Sequence, residues 1–222
     1  MASRLRVAVL TISIVALSLS VVGAEESADV TAAFSSYKSA ILGGDGKAAV
    51  AALSAATFEY YEQMRDLALY GSEEEVKALS ALDMMQALML RTRIKPKRLK
   101  DLSGRELVVL AVDSGWIGKS SAARVDIGDV TLDGHSASAT VLNRGRPTTQ
   151  SVAFAKEDGV WKFDLTSLFD QSSAAFELMA KGQGGSTADF VLNIVQTTSG
   201  EPVNQNIWQA PFERPADSGS ER

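Results

Sequence analysis

Residues 124–165 read RVDIGDVTLDGHSASATVLNRGRPTTQSVAFAKEDGVWKFDL, and their apolar residues recur mainly at every second position. This alternation is typical of β-strands that bury one face. Polar turn sequences at Asp133-Gly134, Asn143–Pro147 and Glu157–Gly159 divide the stretch into four segments. Because strands joined by tight turns pair antiparallel, the stretch predicts a four-stranded antiparallel meander.

The first predicted strand, Arg124–Leu132, changes phase in its middle. The two apolar residues before Gly128-Asp129 are predicted to face one way and the two after it the other way. The four residues concerned are Val125, Ile127, Val130 and Leu132. A phase change of this kind predicts a β-bulge that bends the strand.

Helical spacing of apolar residues dominates the sequence on both sides of the meander. The predicted helices cover 28–42, 47–70, 72–95 and 103–112 before it, and 168–180 and 186–197 after it. A sheet with one apolar face needs a cover, and we expect the preceding helices to supply it. The predicted fold class is therefore α+β, with N-terminal helices packed on a curved four-stranded antiparallel meander and additional C-terminal helices.

The N-terminal residues Met1–Ala24 have the pattern of a secretory signal peptide. Two arginines precede the apolar stretch Val7–Val22, and Val22-Gly23-Ala24 offers small residues for cleavage. The apolar stretch is shorter than the ~20 residues of a membrane-spanning helix. We therefore predict cleavage near Ala24 and a periplasmic or secreted protein; an uncleaved N-terminal anchor is the alternative.

The composition of the predicted mature chain, residues 25–222, limits the classes of protein to which it can belong. The sequence has no cysteine, which excludes a disulfide framework and favours a bacterial exported protein. Loss of Arg4 and Arg6 leaves 20 of the 22 Lys and Arg residues against 27 Asp and Glu, a net charge of −7. We expect no nucleic-acid partner for such an acidic chain.

The predicted mature chain divides into one domain and a tail. Residues 25–198 are predicted to form a single α+β domain, and 199–222, which are polar and contain prolines, a disordered tail. Trp208 is the exception in this tail, because a large aromatic side chain either folds back onto the domain or contacts a partner.

The order of elements and one hairpin resemble the nuclear-transport-factor-2-like superfamily, which has the cystatin-like cone fold. The hairpin is Glu157-Asp158-Gly159-Val160-Trp161-Lys162-Phe163, and a strand with alanines after a polar turn, Asp133–Ala139, precedes it. The resemblance covers residues 28–167. It implies a curved sheet wrapped on helices to form a cone with a pocket. The same cone houses isomerases, hydrolases, dehydratases and binding domains, so the resemblance does not fix an activity.

Candidate catalytic residues are few. The one histidine, His135, follows the Asp133-Gly134 turn and is predicted to face solvent. With a single histidine and no cysteine we expect neither a metal site nor a cofactor. An isomerase-like site in the implied pocket would need an Asp base and a Tyr donor. The candidates are Asp164, Asp126, Tyr60 and Tyr61, with solvent-facing carboxylates and core tyrosines as the alternative.

Two further features are candidates for binding. Six of the ten positions from 91 to 100 are basic, namely Arg91, Arg93, Lys95, Lys97, Arg98 and Lys100. Such a run either offsets a helix dipole and faces solvent, or binds an anion, a protein partner or an anionic membrane surface. Trp116 lies between Gly115 and Gly118, where it either plugs the seam between helix and sheet or closes a pocket mouth.

The sequence favours an exported, soluble, non-enzymatic binding or interaction module whose partner is a small ligand or an envelope protein. One alternative is a small-molecule isomerase or dehydratase with an Asp/Tyr pocket; another is a membrane-surface protein docking through residues 91–100. An enzyme predicts a carboxylate of raised pKa in a cavity, hydrogen-bonded to a tyrosine, whereas a binding module predicts an apolar or plugged cavity.

Overall fold

The computed structural model describes residues 10–199, 203 and 205–215 of the 222-residue chain. Of the predicted signal peptide, residues 1–9 lie outside the described residues. Of the predicted tail, residues 200–202, 204 and 216–222 lie outside them.

The described residues form ten α-helices and one sheet of four strands. The helices are α1 (Leu10–Gly43), α2 (Gly46–Ala51), α3 (Ala55–Tyr70), α4 (Glu73–Lys77), α5 (Ala81–Arg93), α6 (Pro96–Lys100), α7 (Gly104–Asp113), α8 (Lys119–Ala122), α9 (Phe169–Gly182) and α10 (Thr187–Ser199). The strands are β1 (Val125–Asp133), β2 (Ser136–Asn143), β3 (Arg146–Glu157) and β4 (Val160–Asp164). Helices precede and follow the sheet, so the predicted α+β class is confirmed.

The chain folds into two compact units. Unit 1 comprises the described residues up to Ser54 together with Gly115–Asp164, and so contains α1, α2, α8 and the whole sheet. Unit 2 comprises Ala55–Ser114 and the described residues from Leu165 onward, and contains the other helices. The predicted domain, residues 25–198, spans parts of both units.

The predicted meander is confirmed, with strand order β1-β2-β3-β4 and antiparallel pairing throughout. Each hairpin has a two-residue loop: Gly134-His135, Arg144-Gly145 and Asp158-Gly159. Both residues of the second and third loops have positive φ, from 50° to 80°. This conformation matches the right-handed twist of paired strands, and glycine adopts it without steric cost.

The predicted bulge in β1 is also confirmed, because the register with β2 shifts between Ile127 and Val130. Ile127 pairs with Val141 and Val130 pairs with Ala139, two residues that lie on the same buried face of β2. Val130 and Leu132 therefore lie on the same face as Ile127. The prediction that they face the other way was wrong, because the inserted residue restores the phase of the alternation.

One apolar stripe of α1 covers the buried face of the sheet in unit 1. Phe163 of β4 is 1% exposed and is the centre of this contact. Its ring centroid lies 5.4 Å from that of Phe34 and 5.1 Å from that of Tyr37, both on α1, and 5.5 Å from that of Phe154 on β3. Such aromatic contacts stabilise a core beyond the area that they bury.

The single helix predicted over 47–70 is interrupted, and this prediction was wrong. Between α2 and α3, Leu53 forms a parallel bridge with Phe163. The Phe163 amide donates to the Ala52 carbonyl at 2.8 Å, and the Ser54 amide donates to the Phe163 carbonyl at 3.0 Å. The chain leaves the helix because residues 52–54 complete the hydrogen bonding of the edge strand instead.

The helix predicted over 72–95 is likewise divided, into α4 and α5. Ser72 caps α4 in a capping box with Glu75, and Ser80 then caps α5. α5 ends at Arg93, two residues before the predicted end, and Pro96 begins α6, a short helix that the sequence analysis does not predict. A capping box of Ser103 and Glu106 begins α7.

Unit 2 has its own core, and Trp208 is part of it. The buried residues of this core are Val76, Ala81, Met84, Leu88, Val191, Val195 and Trp208. Trp208 is 4% exposed. Of the two predicted alternatives, its side chain therefore folds back onto the protein. The Phe212 amide also donates to the Leu69 carbonyl at 3.1 Å, which holds residues 205–215 against the helices of unit 2.

We predict that Phe163→Ala lowers the free energy of unfolding by about 3–5 kcal/mol, because it removes the ring that joins α1 to the sheet. Urea unfolding followed by circular dichroism measures this loss. The matched control is Val160→Ala on the same strand, which changes a side chain that is 55% exposed. Its expected effect is within about 0.5 kcal/mol. A loss below about 1 kcal/mol for Phe163→Ala would contradict the central place of this ring.

Candidate functional site

Unit 1 contains a groove of about 490 Å³ between α1, α2 and the β3–β4 hairpin. It is lined by Asp29, Ala32, Ala33 and Ser36 of α1, by Ala48, Ala51 and Ala52 at α2, and by the hairpin residues Gly159–Lys162. This volume lies within the range of pockets that hold small molecules. The hairpin that lines it is the one that carries the superfamily resemblance.

Small side chains create the groove. Five alanines line it, four on α1 and α2 and one, Ala52, directly after α2, and a methyl group leaves open the space that a longer side chain would fill. Sequence reasoning missed this site. The signal was present in the sequence as a pair of adjacent alanines at 32–33 and three more at 48, 51 and 52, the last three within five positions of one another.

Trp161 and Lys162 give the groove its aromatic and cationic groups. Trp161 is 3% exposed, and its indole Nε1 has no hydrogen-bond partner among the described residues. The Lys162 ammonium donates to the Ala51 carbonyl at 2.5 Å, where a cation offsets the partial negative charge of the α2 C-terminus. Asp29 and Ser36 are exposed on α1. The groove therefore combines apolar walls with a few polar groups.

The two predicted catalytic carboxylates lie in unit 1 but outside this groove. Asp126 is exposed and pairs with Lys38, with 3.1 Å between carboxylate and ammonium. Exposed ion pairs of this kind contribute about 0–1 kcal/mol to stability. Asp164, the last residue of β4, is half-buried and lies opposite Ala153 of β3. Neither carboxylate is among the residues that line the groove, and no tyrosine is among them either.

The two predicted catalytic tyrosines lie side by side in unit 2, with ring centroids 5.3 Å apart. The Tyr60 hydroxyl donates to Asp83 Oδ1 at 2.6 Å. Asp83 Oδ2 accepts from the Ser80 hydroxyl at 2.8 Å, and this pair caps the N-terminus of α5. Asp83 was not predicted as a site residue; the spacing Ser80-x-x-Asp83, typical of a helix cap, could have located it.

Burial and the contact with Asp83 keep the tyrosine hydroxyls protonated. Burial raises the pKa of Tyr60 well above its usual range, and the hydrogen bond to Asp83 and the charge of that carboxylate raise it further. Burial likewise raises the pKa of Tyr61 to about 12. Both carboxylate oxygens of Asp83 already accept hydrogen bonds within the protein, so this arrangement anchors α3 to the start of α5.

The basic run of residues 91–100 separates into two parts. The Arg91 guanidinium donates to four backbone carbonyls, those of Leu67, Ala68, Gly71 and Ile207, at 2.6 to 3.1 Å. It thereby caps the C-terminus of α3 and fastens the C-terminal segment. Arg93 donates to the Thr198 carbonyl in the last turn of α10 at 3.0 Å. Burial lowers the pKa of both guanidinium groups, although arginine stays charged near neutral pH.

The other four basic residues, Lys95, Lys97, Arg98 and Lys100, are exposed on and beside α6. Trp116 is half-buried and is not among the residues lining the groove. His135 is exposed in the β1–β2 turn, as predicted.

Within the described residues, no group of three acidic, histidine or cysteine side chains comes together as metal ligands. In the same part of the chain, no helix has both the length and the apolar character needed to cross a membrane.

Comparison with protein-family models, curated proteins and solved structures finds no match to this chain. The resemblance to the nuclear-transport-factor-2-like superfamily therefore stays a prediction that rests on the order of elements and on the hairpin at residues 157–163.

We predict that Tyr60→Phe destabilises the protein by about 1–2 kcal/mol at neutral pH, because Asp83 loses a hydrogen-bond donor. The raised pKa of Tyr60 means that the folded state favours the neutral hydroxyl. Its contribution is fully present below the unfolded pKa of about 10 and is lost as the pH rises above that value. The difference between wild type and Tyr60→Phe should therefore shrink above about pH 10.

Urea unfolding at a series of pH values measures this difference. Tyr61→Phe is the control, because it leaves the Tyr60–Asp83 contact intact and should cost less at neutral pH. If Tyr60→Phe were as stable as the wild type at neutral pH, that result would contradict an anchoring role for the Tyr60–Asp83 pair.

Proposed function

We propose that this chain is an exported binding module and that the groove of unit 1 holds its ligand. The observation that carries the proposal is the groove itself, about 490 Å³ with alanine walls beside Trp161. Ligand sites in proteins are concave, mostly apolar and supplied with a few polar groups that orient the ligand. Asp29, Ser36 and Lys162 supply such groups here.

The lining favours a compact apolar or aromatic ligand with one polar group. Alanine side chains let a flat body lie close to the backbone of α1 and α2. The exposed Val160 adds apolar contact at the hairpin. The Lys162 ammonium favours an acceptor or an anionic group on the ligand.

Export is supported by the sequence pattern of Met1–Ala24 and by what lies after the predicted cleavage point. The α1 side chains that pack on the sheet, Phe34 and Tyr37, all follow Ala24, so cleavage there would keep them. The carboxylates of Glu25 and Glu26 would then stand in the first turn of the shortened helix, where the dipole favours negative charge. Glu26 also pairs with Lys156 of β3 at 2.6 Å.

A second candidate function is proton transfer, as in an isomerase or dehydratase, by the Tyr60–Asp83 pair. The short hydrogen bond between the two groups favours it, because such a site needs a carboxylate next to a tyrosine. Two observations favour the binding module instead. Asp83 is engaged on both oxygens as a helix cap, and neither Tyr60 nor Asp83 lines the groove.

We predict that Ala48→Leu weakens binding of an apolar probe at least about ten-fold, because the larger side chain enters the groove. Nile red is a suitable probe, since its fluorescence rises in an apolar environment. Ala174→Leu is the matched control; it makes the same change at an exposed helical alanine outside the groove. Equal binding of Nile red by wild type and Ala48→Leu, or no binding at all, would contradict the proposal.

A further inference from the structure

We propose that the segment Lys95–Lys100 is a docking surface for anionic lipid head groups at a membrane. The surface consists of Lys95, Lys97, Arg98 and Lys100, and we call it the α6 basic surface. This interaction is separate from the groove, because all four residues belong to unit 2 and the groove belongs to unit 1.

The basic run consists of two arginines that hold backbone carbonyls and four exposed residues that do not. Arg91 and Arg93 are engaged by backbone carbonyls at the ends of two helices. The α6 basic surface has no such role: no salt bridge joins its four side chains to any residue that the structure describes. Hydrogen bonds to helix ends therefore account for two of the six basic residues, whereas the other four are exposed, three of them in the last turn of α6.

The geometry of α6 places its cations on the outer side of the helix. Leu99 is 1% exposed and anchors the helix to unit 2. With about 100° per residue, Lys97 lies about 160° around the helix axis from Leu99, and Arg98 and Lys100 about 100° from it. The three cations therefore spread over the outer, convex side of the helix. A convex array suits a flat anionic surface, which meets several charges at once, better than a single enclosed phosphate.

The α6 basic surface also differs in charge from the chain as a whole. The segment 95–101 has four basic residues against one acidic residue, Asp101, whereas the whole chain has a net charge of −5. Clusters of four or more Lys and Arg residues at a membrane surface are typical of binding to anionic lipids. The Lys100 ammonium also lies 5.6 Å from the centroid of the half-buried Phe212 ring, which places an aromatic side chain at the edge of the surface.

The test uses the protein purified after export, so that its natural processing is retained. Its partitioning is measured on vesicles of equimolar phosphatidylglycerol and phosphatidylcholine, and on vesicles of phosphatidylcholine alone. The test variant carries Lys97→Gln, Arg98→Gln and Lys100→Gln. The matched control removes the same charge at three exposed sites elsewhere, with Lys47→Gln, Arg146→Gln and Lys181→Gln.

We expect the wild type to bind the anionic vesicles only, and to lose binding as salt shortens the range of electrostatic attraction. Each lost cation should weaken partitioning about five-fold, so the test variant should bind about 100-fold more weakly. The control variant should bind within a few-fold of the wild type. Unfolding curves confirm that both variants are folded, and Nile red binding reports separately on the groove.

Three results would overturn the proposal. The first is equal vesicle binding by the wild type and the test variant, as a retained apolar leader would produce. The second is equal binding to anionic and neutral vesicles. The third is binding to a soluble polyanion such as heparin without binding to vesicles, which would assign the α6 basic surface to a different partner. None of these results bears on the groove, so failure here is distinguishable from failure of the proposed function.

Discussion

The packing of α1 on the apolar face of the sheet is the contact on which the rest of unit 1 depends. Phe163 serves this contact in two ways, since its ring packs on Phe34 and Tyr37 while its backbone pairs with the segment after α2. These interactions hold α1, α2 and the β3–β4 hairpin in place, and the groove lies among those three elements. A sheet with one apolar face must be covered, and here the cover and the sheet together form the candidate site.

Structural features that depend on residues close together in the sequence were predicted well. Features that depend on contacts between residues far apart in the sequence were not. The three hairpins, the bulge and the capping boxes depend on residues within a few positions of one another, so the sequence displays them. The break at Leu53 depends on Phe163, more than one hundred residues away, and helical periodicity continues through it. For the same reason the candidate site was only partly predictable: the hairpin was recognised, but the alanines opposite it were not.

The basic run shows how one sequence pattern can serve two physical purposes. Residues 91–100 read as a single cluster, yet Arg91 is directed at four carbonyls and Lys97 is exposed. Arginine suits the first role because its planar guanidinium offers several donors in fixed directions. Asp83 likewise serves two purposes. Its capping pattern with Ser80 is visible in the sequence, but its hydrogen bond with Tyr60, 23 positions earlier, is not.

The central claim is that unit 1 binds a small ligand in the groove beside Trp161. The most direct measurement is a chemical-shift map of the isotopically labelled wild-type protein, recorded by NMR as a mixture of small aromatic and aliphatic fragments is added. The account predicts that the indole N–H of Trp161 and the amides of Ala48, Val160 and Lys162 shift together and saturate. Shifts concentrated in unit 2, or no saturable shifts in unit 1, would contradict it.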